Sequence, residues 1–120
     1  MYVGGVKVSN FVVEEGTKGS WKYRKWKDGT AELWASIRAT HANGSILEGG
    51  LDYPFALTGT IYGIGTLNSA GGNSVAALSW NLKLTYDLDH CDVWVHNPGS
   101  VNFTTSSTAD ISVYIVGKWK

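Results

Sequence analysis

Apolar and polar residues alternate in steps of two along several short stretches of this chain, which is the pattern of β-strands with one buried face. The stretch from Val75 to Leu84 alternates most regularly, with Ala76, Leu78, Trp80, Leu82 and Leu84 facing one way. Further strands are predicted at Val6–Val13, Trp21–Trp26, Glu32–Ala42, Thr60–Leu67, Asp92–His96 and Ile111–Val116. No segment repeats apolar residues at i, i+3 and i+4 over three turns, so almost no helix is expected.

The stretch from Trp21 to Trp34 predicts a β-hairpin that turns at Asp28-Gly29. Asp-Gly favours a two-residue type I′ turn, because Gly adopts the positive φ that such a turn requires. In the first arm Trp21, Tyr23 and Lys25 share one face, and Lys22, Arg24 and Trp26 share the other. In the second arm Leu33, Ala35, Ile37 and Ala39 lie opposite Glu32, Trp34, Ser36, Arg38 and Thr40.

Glycine, proline and polar clusters divide the rest of the chain into strands and turns. The first strand is expected to close at Glu14-Glu15-Gly16, and turns are predicted at Asn43-Gly44 and at Asn97-Pro98-Gly99. Asn68–Asn73 is predicted as a polar loop.

Glycines also weaken two of the predicted strands. Ile46–Leu57 contains Gly49-Gly50 and Pro54 and is therefore expected to be an edge segment or a bulged strand. Gly63 and Gly65 are expected where another backbone comes close.

Seven to nine short strands at roughly ten-residue spacing predict an all-β fold, an antiparallel β-sandwich of jelly-roll type with little or no helix. A length of 120 residues predicts one β-sandwich domain spanning residues 1–120. High glycine and aromatic content, with 15 glycines and 12% aromatic residues, agrees with many short strands joined by turns.

Charge and cysteine content exclude several classes of partner. The formal net charge is zero and 17% of residues are charged, so nucleic acid is not expected as a partner. No window approaches the roughly 18 apolar residues that a membrane span requires, so no membrane insertion is expected. The single cysteine, Cys91, excludes an internal disulfide and favours maturation in a reducing compartment. The N-terminal residues do not have the pattern of a secretory signal.

The segment Asp87 to Asp92 is the part of the sequence that resembles a metal site. Asp87 and Asp89 begin like a calcium loop, but Asp92 and Pro98 occupy the positions of the loop's Gly and Glu. His90 and His96 would lie on the same side of a strand, although zinc would need further ligands at set spacing. We therefore expect a solvated acidic loop beside a buried Cys91 thiol, with no metal and no other cofactor.

The histidines suggest acid–base chemistry only weakly. His41, His90 and His96 are the candidates, but the chain has no G-x-S-x-G, H-E-x-x-H or Walker-type motif. No catalytic residues are therefore expected.

The aromatic hairpin is the strongest candidate surface, since four large aromatic residues lie close together there. That much apolar surface is expected to cover a core, a neighbouring subunit or a ligand. A sugar could stack its C–H face on the indoles while Arg24, Lys25 and Glu32 bind hydroxyls. The candidate residues for packing, an interface or a glycan platform are Trp21, Tyr23, Arg24, Trp26, Glu32 and Trp34.

Residues 11 to 34 resemble the opening of a domain found at the C-terminal ends of tail-fibre and minor structural (receptor-binding) proteins of phages and prophages of Firmicutes. The family pattern runs approximately V-V-E-x-G-x-x-G-x-W-x-Y-R-K-W-x-x-G-x-A-E-x-W. The matching residues are Val12, Val13, Glu14, Gly16, Gly19, Trp21, Tyr23, Arg24, Lys25, Trp26, Gly29, Ala31, Glu32 and Trp34. Pro54-Phe55 and the closing strand at residues 113–120 also fit, whereas Leu33 stands where the family often has Cys.

The resemblance implies a non-enzymatic virion component of the tail, made in the bacterial host cytoplasm. It implies a homotrimeric fibre tip or receptor-binding head, with other tail proteins and a host cell-surface glycan as partners. Residues 1–10 would then be the end of an upstream shaft or linker. Because the hairpin residues are those that match the family, receptor specificity is expected in the mid-chain loops.

Two other function classes stay open at the level of sequence. A stand-alone carbohydrate-binding module predicts a monomer with a row of exposed aromatic residues. An enzyme acting on glycans would require a cleft with two converging carboxylates about 5–10 Å apart.

Overall fold

The computed structural model describes residues 2–3, 6–7, 10–71, 81–97 and 102–120. Within them the chain forms antiparallel strands and no helix. Two short strands, β1 (Tyr2–Val3) and β2 (Val6–Lys7), pair with each other. The main sheet has eight strands: β3 (Val12–Lys18), β4 (Trp21–Trp26), β5 (Thr30–Asn43), β6 (Ile46–Asp52), β7 (Thr58–Gly71), β8 (Asn81–Tyr86), β9 (His90–His96) and β10 (Thr108–Lys118). The predicted all-β, antiparallel fold is confirmed.

The long strand β5 organises the sheet because it belongs to both of its halves. On one edge it pairs with β10 along Thr30 to Thr40, and β10 in turn pairs with β7. On its other edge β5 pairs first with β4 and then, from Thr40 onward, with β6. The order continues from β6 to β9 and β8.

The half formed by β6, β9 and β8 packs against the half formed by β5, β10 and β7, as in a β-sandwich. The side chains of β8 reach β7 across this interface. The ring of Tyr86 lies beside Gly63, and the side chain of Leu82 lies beside Gly65. A single hydrogen-bonded sheet therefore supplies both layers.

Period-two alternation determines which residues enter the core between the layers. In β5, β9 and β10 the odd-numbered residues are buried or partly buried, and most of their even-numbered neighbours are more exposed. The side chains with almost no exposure include Leu33, Ile37, Leu47, Leu57, Val93, Val95, Ile111 and Ile115. Each large apolar side chain buried in this way contributes about 1.5–3 kcal/mol.

The hairpin between β4 and β5 is present, but its turn differs from the prediction. The Gly29 N–H donates to the Trp26 carbonyl at 3.0 Å, and Gly29 has a φ of +97°. Residues 27–29 therefore form a three-residue connection, and the predicted two-residue type I′ turn at Asp28-Gly29 is wrong. The Asp28 carboxylate accepts the Thr30 N–H at 2.8 Å and stabilises this longer turn locally.

Three predicted strand limits are also wrong. Glu14-Glu15-Gly16 does not close a strand but lies inside β3. Ile46–Leu57 is not an edge segment, because its strand β6 (Ile46–Asp52) pairs with β5 on one side and with β9 on the other. Of the predicted alternative, a bulge, the β5–β6 pairing shows a register shift, which lies between His41 and Asn43 in β5. Asn68 to Gly71 continues β7 where a loop was predicted. In each case pairing with a neighbouring strand overrides a local preference for a turn.

Gly63 and Gly65 are a fifth departure from prediction. A Cβ atom at either position would first meet side chains of the neighbouring strand β10 and of β8 in the facing layer, where approach of another backbone was expected.

Several other predictions agree with the structure. The second arm of the hairpin extends to Asn43, and Gly44 with φ +43° begins the predicted turn. The predicted strands Asp92–His96 and Ile111–Val116 lie within β9 and β10. Residues 75–80 of the predicted strand Val75–Leu84 and residues 98–99 of the predicted turn lie outside the described residues.

Candidate interaction surfaces

The six candidate residues of the hairpin lie on two opposite faces of the sheet. Trp21 and Tyr23 are on the inner face, whereas Arg24, Trp26, Glu32 and Trp34 are on the outer face. This division follows the predicted alternation of the two arms, since β4 and β5 pair in register at Lys22 with Trp34 and at Arg24 with Glu32.

Trp21 and Tyr23 are packing residues of the inner face. Trp21 is 2% exposed, meets the ring of Tyr53 edge-on at 5.4 Å, and donates its Nε1–H to the Asp52 carbonyl at 2.7 Å. Tyr23 meets Phe55 edge-on at 5.3 Å, and its hydroxyl donates to a Glu14 carboxylate oxygen at 2.9 Å. The buried indole of Trp21 has no free face for a ligand.

On the outer face Glu32 is held by two aromatic donors. Trp26 Nε1–H donates to Glu32 Oε1 at 2.6 Å, and the Tyr114 hydroxyl donates to Glu32 Oε2. Both carboxylate oxygens therefore already have a donor from this chain, which lowers their capacity to bind a ligand hydroxyl.

Burial and the hydrogen bond to Glu32 together raise the pKa of Tyr114 to about 12. Loss of the phenol proton would place two negative charges side by side in a partly buried position. Tyr114 is therefore a neutral donor to Glu32 throughout the physiological pH range.

Arg24 lies between an aromatic ring and a carboxylate. Its guanidinium is 5.4 Å from the centroid of the Trp34 ring, and Nε lies 3.3 Å from a Glu15 carboxylate oxygen. The Arg24–Glu15 pair is partly exposed to solvent and therefore contributes little to stability. Its effect is to cover one side of the Trp34 indole.

Beside this cluster the outer face carries an apolar and aromatic surface that we call the outer stripe. It crosses β5, β10 and β7 and consists of Trp34, Tyr114, Val116, Tyr62 and Ile64. Register places Tyr114 between Trp34 and Ile64, and Val116 beside Tyr62. The Trp34 and Tyr114 rings stack with centroids 5.3 Å apart. Tyr62 and Ile64 are 66% and 61% exposed, which is far more than large apolar residues of a core.

The members of the outer stripe on β7 and β10 were missed in the sequence. Their positions follow from alternation, because Gly63 and Gly65 in β7 and Val113 and Ile115 in β10 face inward. What alternation could not provide is the register between strands that are fifty residues apart in the chain.

The acidic segment from Asp87 to Asp92 forms a hydrogen-bonded group around His90. Imidazole Nδ1 lies 2.6 Å from Asp89 Oδ1, and Nε2 lies 3.5 Å from Asp92 Oδ2. The hydrogen bond to Asp89 is the largest cause that raises the pKa of His90 above its ordinary value. Cys91 points to the opposite face and is fully buried. Among the described residues no group of three His, Cys, Asp or Glu side chains has the arrangement of a metal site.

In the described part of the chain, no helix is long and apolar enough to cross a membrane.

Similarity to known proteins is found at the level of structure. No protein-family model matches the sequence, and no curated protein matches it. The fold is similar to that of a C-terminal part of the P. aeruginosa R1 pyocin fiber, with a TM-score of 0.63 and 16% sequence identity. This match covers 94% of the present chain and 29% of the pyocin chain.

An N-truncated R1-type pyocin tail fiber matches in the same way, with a TM-score of 0.62 and 16% identity over 94% of this chain and 88% of that one. The present chain thus has the fold of these tail-fiber domains and spans less than a third of the longer one.

Proposed function

We propose that this chain is a non-enzymatic structural domain of a phage-type tail fibre, located in the virion tail and made in the host cytoplasm. The observation that carries the proposal is the match of 94% of the chain to pyocin tail fibers at a TM-score of 0.63. The motif in residues 11–34 supports the same role independently, and the Firmicutes origin rests on that motif alone.

We further propose that the domain assembles as a homotrimer, in contact with other tail proteins, and presents a tip that contacts the host cell surface. The outer stripe supports this assembly because Tyr62 and Ile64 are exposed in the single chain and the other members are only partly buried. It lies next to an edge of the sheet, since β7 pairs only with β10 in the described residues. A second copy that covers the stripe removes apolar surface from water and protects this edge.

The energetics favour a stable assembly. Burying a side chain such as Tyr62 or Ile64 contributes on the order of 1.5–3 kcal/mol to the free energy of association. Each subunit of a symmetric ring buries its own outer stripe, so this contribution is repeated at every interface. A formal net charge of zero means that no long-range repulsion opposes association.

Light scattering coupled to size-exclusion chromatography tests the assembly. We expect a mass three times the 13.0 kDa of one chain. The double variant Tyr62→Lys/Ile64→Lys places charges on the outer stripe and is expected to give monomers. Leu88→Lys is the matched control, because Leu88 is also exposed, at 47%, but lies in the loop before β9. If the double variant still has the mass of a trimer, the interface between subunits lies elsewhere on the chain.

A stand-alone carbohydrate-binding module is the second candidate. The observation that favours it is the stacked pair of Trp34 and Tyr114, which is only partly buried and has Arg24 and Glu32 beside it. This function predicts a monomer at all concentrations. A monomeric wild type would therefore favour the module over the trimeric fibre.

A further inference from the structure

A cavity opens on the face of the molecule formed by the end of β5 and by β6 and β9, and none of the six candidate residues between Trp21 and Trp34 lines it. Its volume is about 420 Å³, within the range of small-molecule sites in proteins. The residues around it that matter here are Thr40, His41, Glu48, Gly50, Asp92 and Trp94. An aromatic residue, two residues with carboxylates, and Thr40 and His41 therefore border a single space.

Strand register brings the main groups together. Thr40 pairs with Glu48 across β5 and β6, and Glu48 pairs with Trp94 across β6 and β9. Trp94 Nε1–H donates to Glu48 Oε2 at 3.1 Å, so that the hydrogen bond orients both side chains. Lys83 in β8 lies opposite Trp94, with Nζ 5.5 Å from the ring centroid, and is not part of the cavity wall. Lys83 thus contacts the Trp94 indole from the β8 side, and the indole itself lies at the edge of the cavity.

Gly50 makes room for the second carboxylate. A Cβ atom at Gly50 would lie 2.3 Å from Asp92 Oδ1, so any larger residue would displace this carboxylate. His90 holds the other oxygen, with Nε2 3.5 Å from Asp92 Oδ2. The neighbouring Gly49 has a different constraint, because a Cβ there would lie 2.5 Å from the backbone oxygen of Arg38. The closest constraint on Gly49 is therefore a backbone atom of β5, whereas the closest constraint on Gly50 is the Asp92 carboxylate, followed by the Cys91 backbone oxygen at 3.1 Å.

We propose that this cavity binds a saccharide. Trp94 supplies the ring on which a sugar C–H face stacks, and Glu48 and Asp92 accept hydrogen bonds from hydroxyl groups. This inference rests on the proposed tail-fibre role in one respect, namely that the saccharide belongs to a surface glycan of the host cell.

The chemistry of the cavity selects this ligand class over others. Aromatic faces carry partial negative charge and attract polarised C–H groups, while carboxylates are acceptors that suit ligands rich in hydroxyl donors. Phosphate and other anions are disfavoured by two carboxylates on the wall. A wholly apolar ligand would leave those carboxylates desolvated without partners, which is costly.

Nuclear magnetic resonance of the Trp indole N–H groups tests the proposal. The Trp94 signal is assigned by its loss in Trp94→Phe. The probes are maltose, cellobiose, lactose and N,N′-diacetylchitobiose, all neutral, each added to the ¹⁵N-labelled full chain up to millimolar concentration. We expect a saturable shift of the Trp94 signal with at least one disaccharide, while the signals of Trp21 and Trp34 change little. If none of the four gives a saturable shift at Trp94, the proposal is overturned.

Three variants separate binding from folding. Glu48→Gln and Asp92→Asn keep side-chain size and are expected to weaken binding at least tenfold. Gly50→Ala is expected to do the same by displacing the Asp92 carboxylate, with the chain still folded. Val13→Ala, at an exposed position of β3 away from the cavity, is the matched control and is expected to leave sugar affinity unchanged. Equal affinity in all three cavity variants would contradict the proposed role of these residues.

The remaining outcomes separate this inference from the proposed function. Glucosamine carries an ammonium group. If it shifts the Trp94 signal and the neutral disaccharides do not, the cavity is an ammonium site and the saccharide assignment is overturned. Hydrolysis of the added disaccharide, measured by chromatography, would contradict the non-enzymatic role but not sugar binding. A trimer that binds none of these sugars would retain the fibre role and eliminate this cavity as its receptor site.

Discussion

The indole N–H of Trp21 donates a hydrogen bond of 2.7 Å to the backbone carbonyl of Asp52, 31 residues further along the chain. Trp21 is the first residue of β4 and Asp52 the last of β6, so this bond joins the ends of two strands that do not pair. The ring of Tyr53 packs edge-on against the same indole. The most conspicuous residue of the hairpin is thus a core residue that links the two parts of the sheet.

Replacement of Trp21 is therefore expected to affect stability far more than replacement of Trp34. Trp21→Phe removes a buried hydrogen bond and leaves the Asp52 carbonyl without that donor, which costs about 1–3 kcal/mol. Trp34→Phe keeps most of the stacking on Tyr114 at a partly exposed position, and we expect a cost below about 1 kcal/mol. Urea unfolding at one fixed protein concentration measures the free energy of unfolding of both variants and of the wild type. An equal loss of unfolding free energy in the two variants would contradict the assignment of Trp21 to the core.

Two glycines of β7 provide a second matched pair. A Cβ at Gly63 would lie 2.8 Å from both Ile115 Cδ1 and the Tyr86 ring, whereas at Gly65 the nearest atom would be 3.4 Å away. Gly63→Ala is therefore expected to destabilise the fold by about 1–3 kcal/mol through overpacking. Gly65→Ala is expected to be neutral or to stabilise by up to about 1 kcal/mol, because alanine restricts the unfolded chain. Thermal unfolding of the two variants provides the measurement, and the opposite ranking would contradict the packing of β8 on β7.

Tyr114 is expected to ionise at unusually high pH. Burial and the hydrogen bond to Glu32 raise its pKa to about 12, so the folded state favours the neutral phenol. Its contribution to stability is present below the unfolded pKa near 10 and is lost as pH rises toward 12. Glu32→Gln removes the neighbouring negative charge and is expected to lower this pKa, although burial keeps it above 10. Titration of ¹³C-labelled tyrosine measures the change, with Tyr114→Phe identifying the signal. No difference between wild type and Glu32→Gln would contradict the coupling.

The Cys91 thiol is expected to be unreactive in the folded protein. The side chain is fully buried, and burial raises its pKa to about 12, so little thiolate exists at neutral pH. A chromogenic disulfide reagent at pH 8 is expected to react only at the rate at which the fold opens, and rapidly in denaturant. Leu88→Cys on a Cys91→Ser background is the matched control, because Leu88 is 47% exposed three residues earlier. Similar native rates for the two thiols would contradict the burial of Cys91.

The faces of the strands were predictable because side-chain direction depends on local geometry alone. Successive residues of any strand point to opposite sides, so Leu33 and Trp34 had to lie on opposite faces whatever the strand paired with. The same reasoning assigned Trp21 and Tyr23 to one side and Arg24 and Trp26 to the other.

Strand pairing and its consequences were not predictable in this way. Whether Ile46–Asp52 lies at an edge or in the interior depends on β9, which begins at His90 and pairs with it. The turn after Trp26 likewise depends on register, because pairing of Lys25 with Ala31 leaves three residues between the strands where a two-residue turn would need a different pairing.

From the sequence alone, the alternation of residue types determined an antiparallel all-β protein and divided the hairpin side chains between two opposite faces, since both depend on neighbours one or two positions away. Only the tertiary structure decided that Trp34, Tyr114 and Ile64 form one surface and that Glu48, Asp92 and Trp94 surround one cavity. The physical reason is that these groups meet through hydrogen-bonded register between strands distant in the chain. That register is set by how the whole core packs and is not encoded in any single segment.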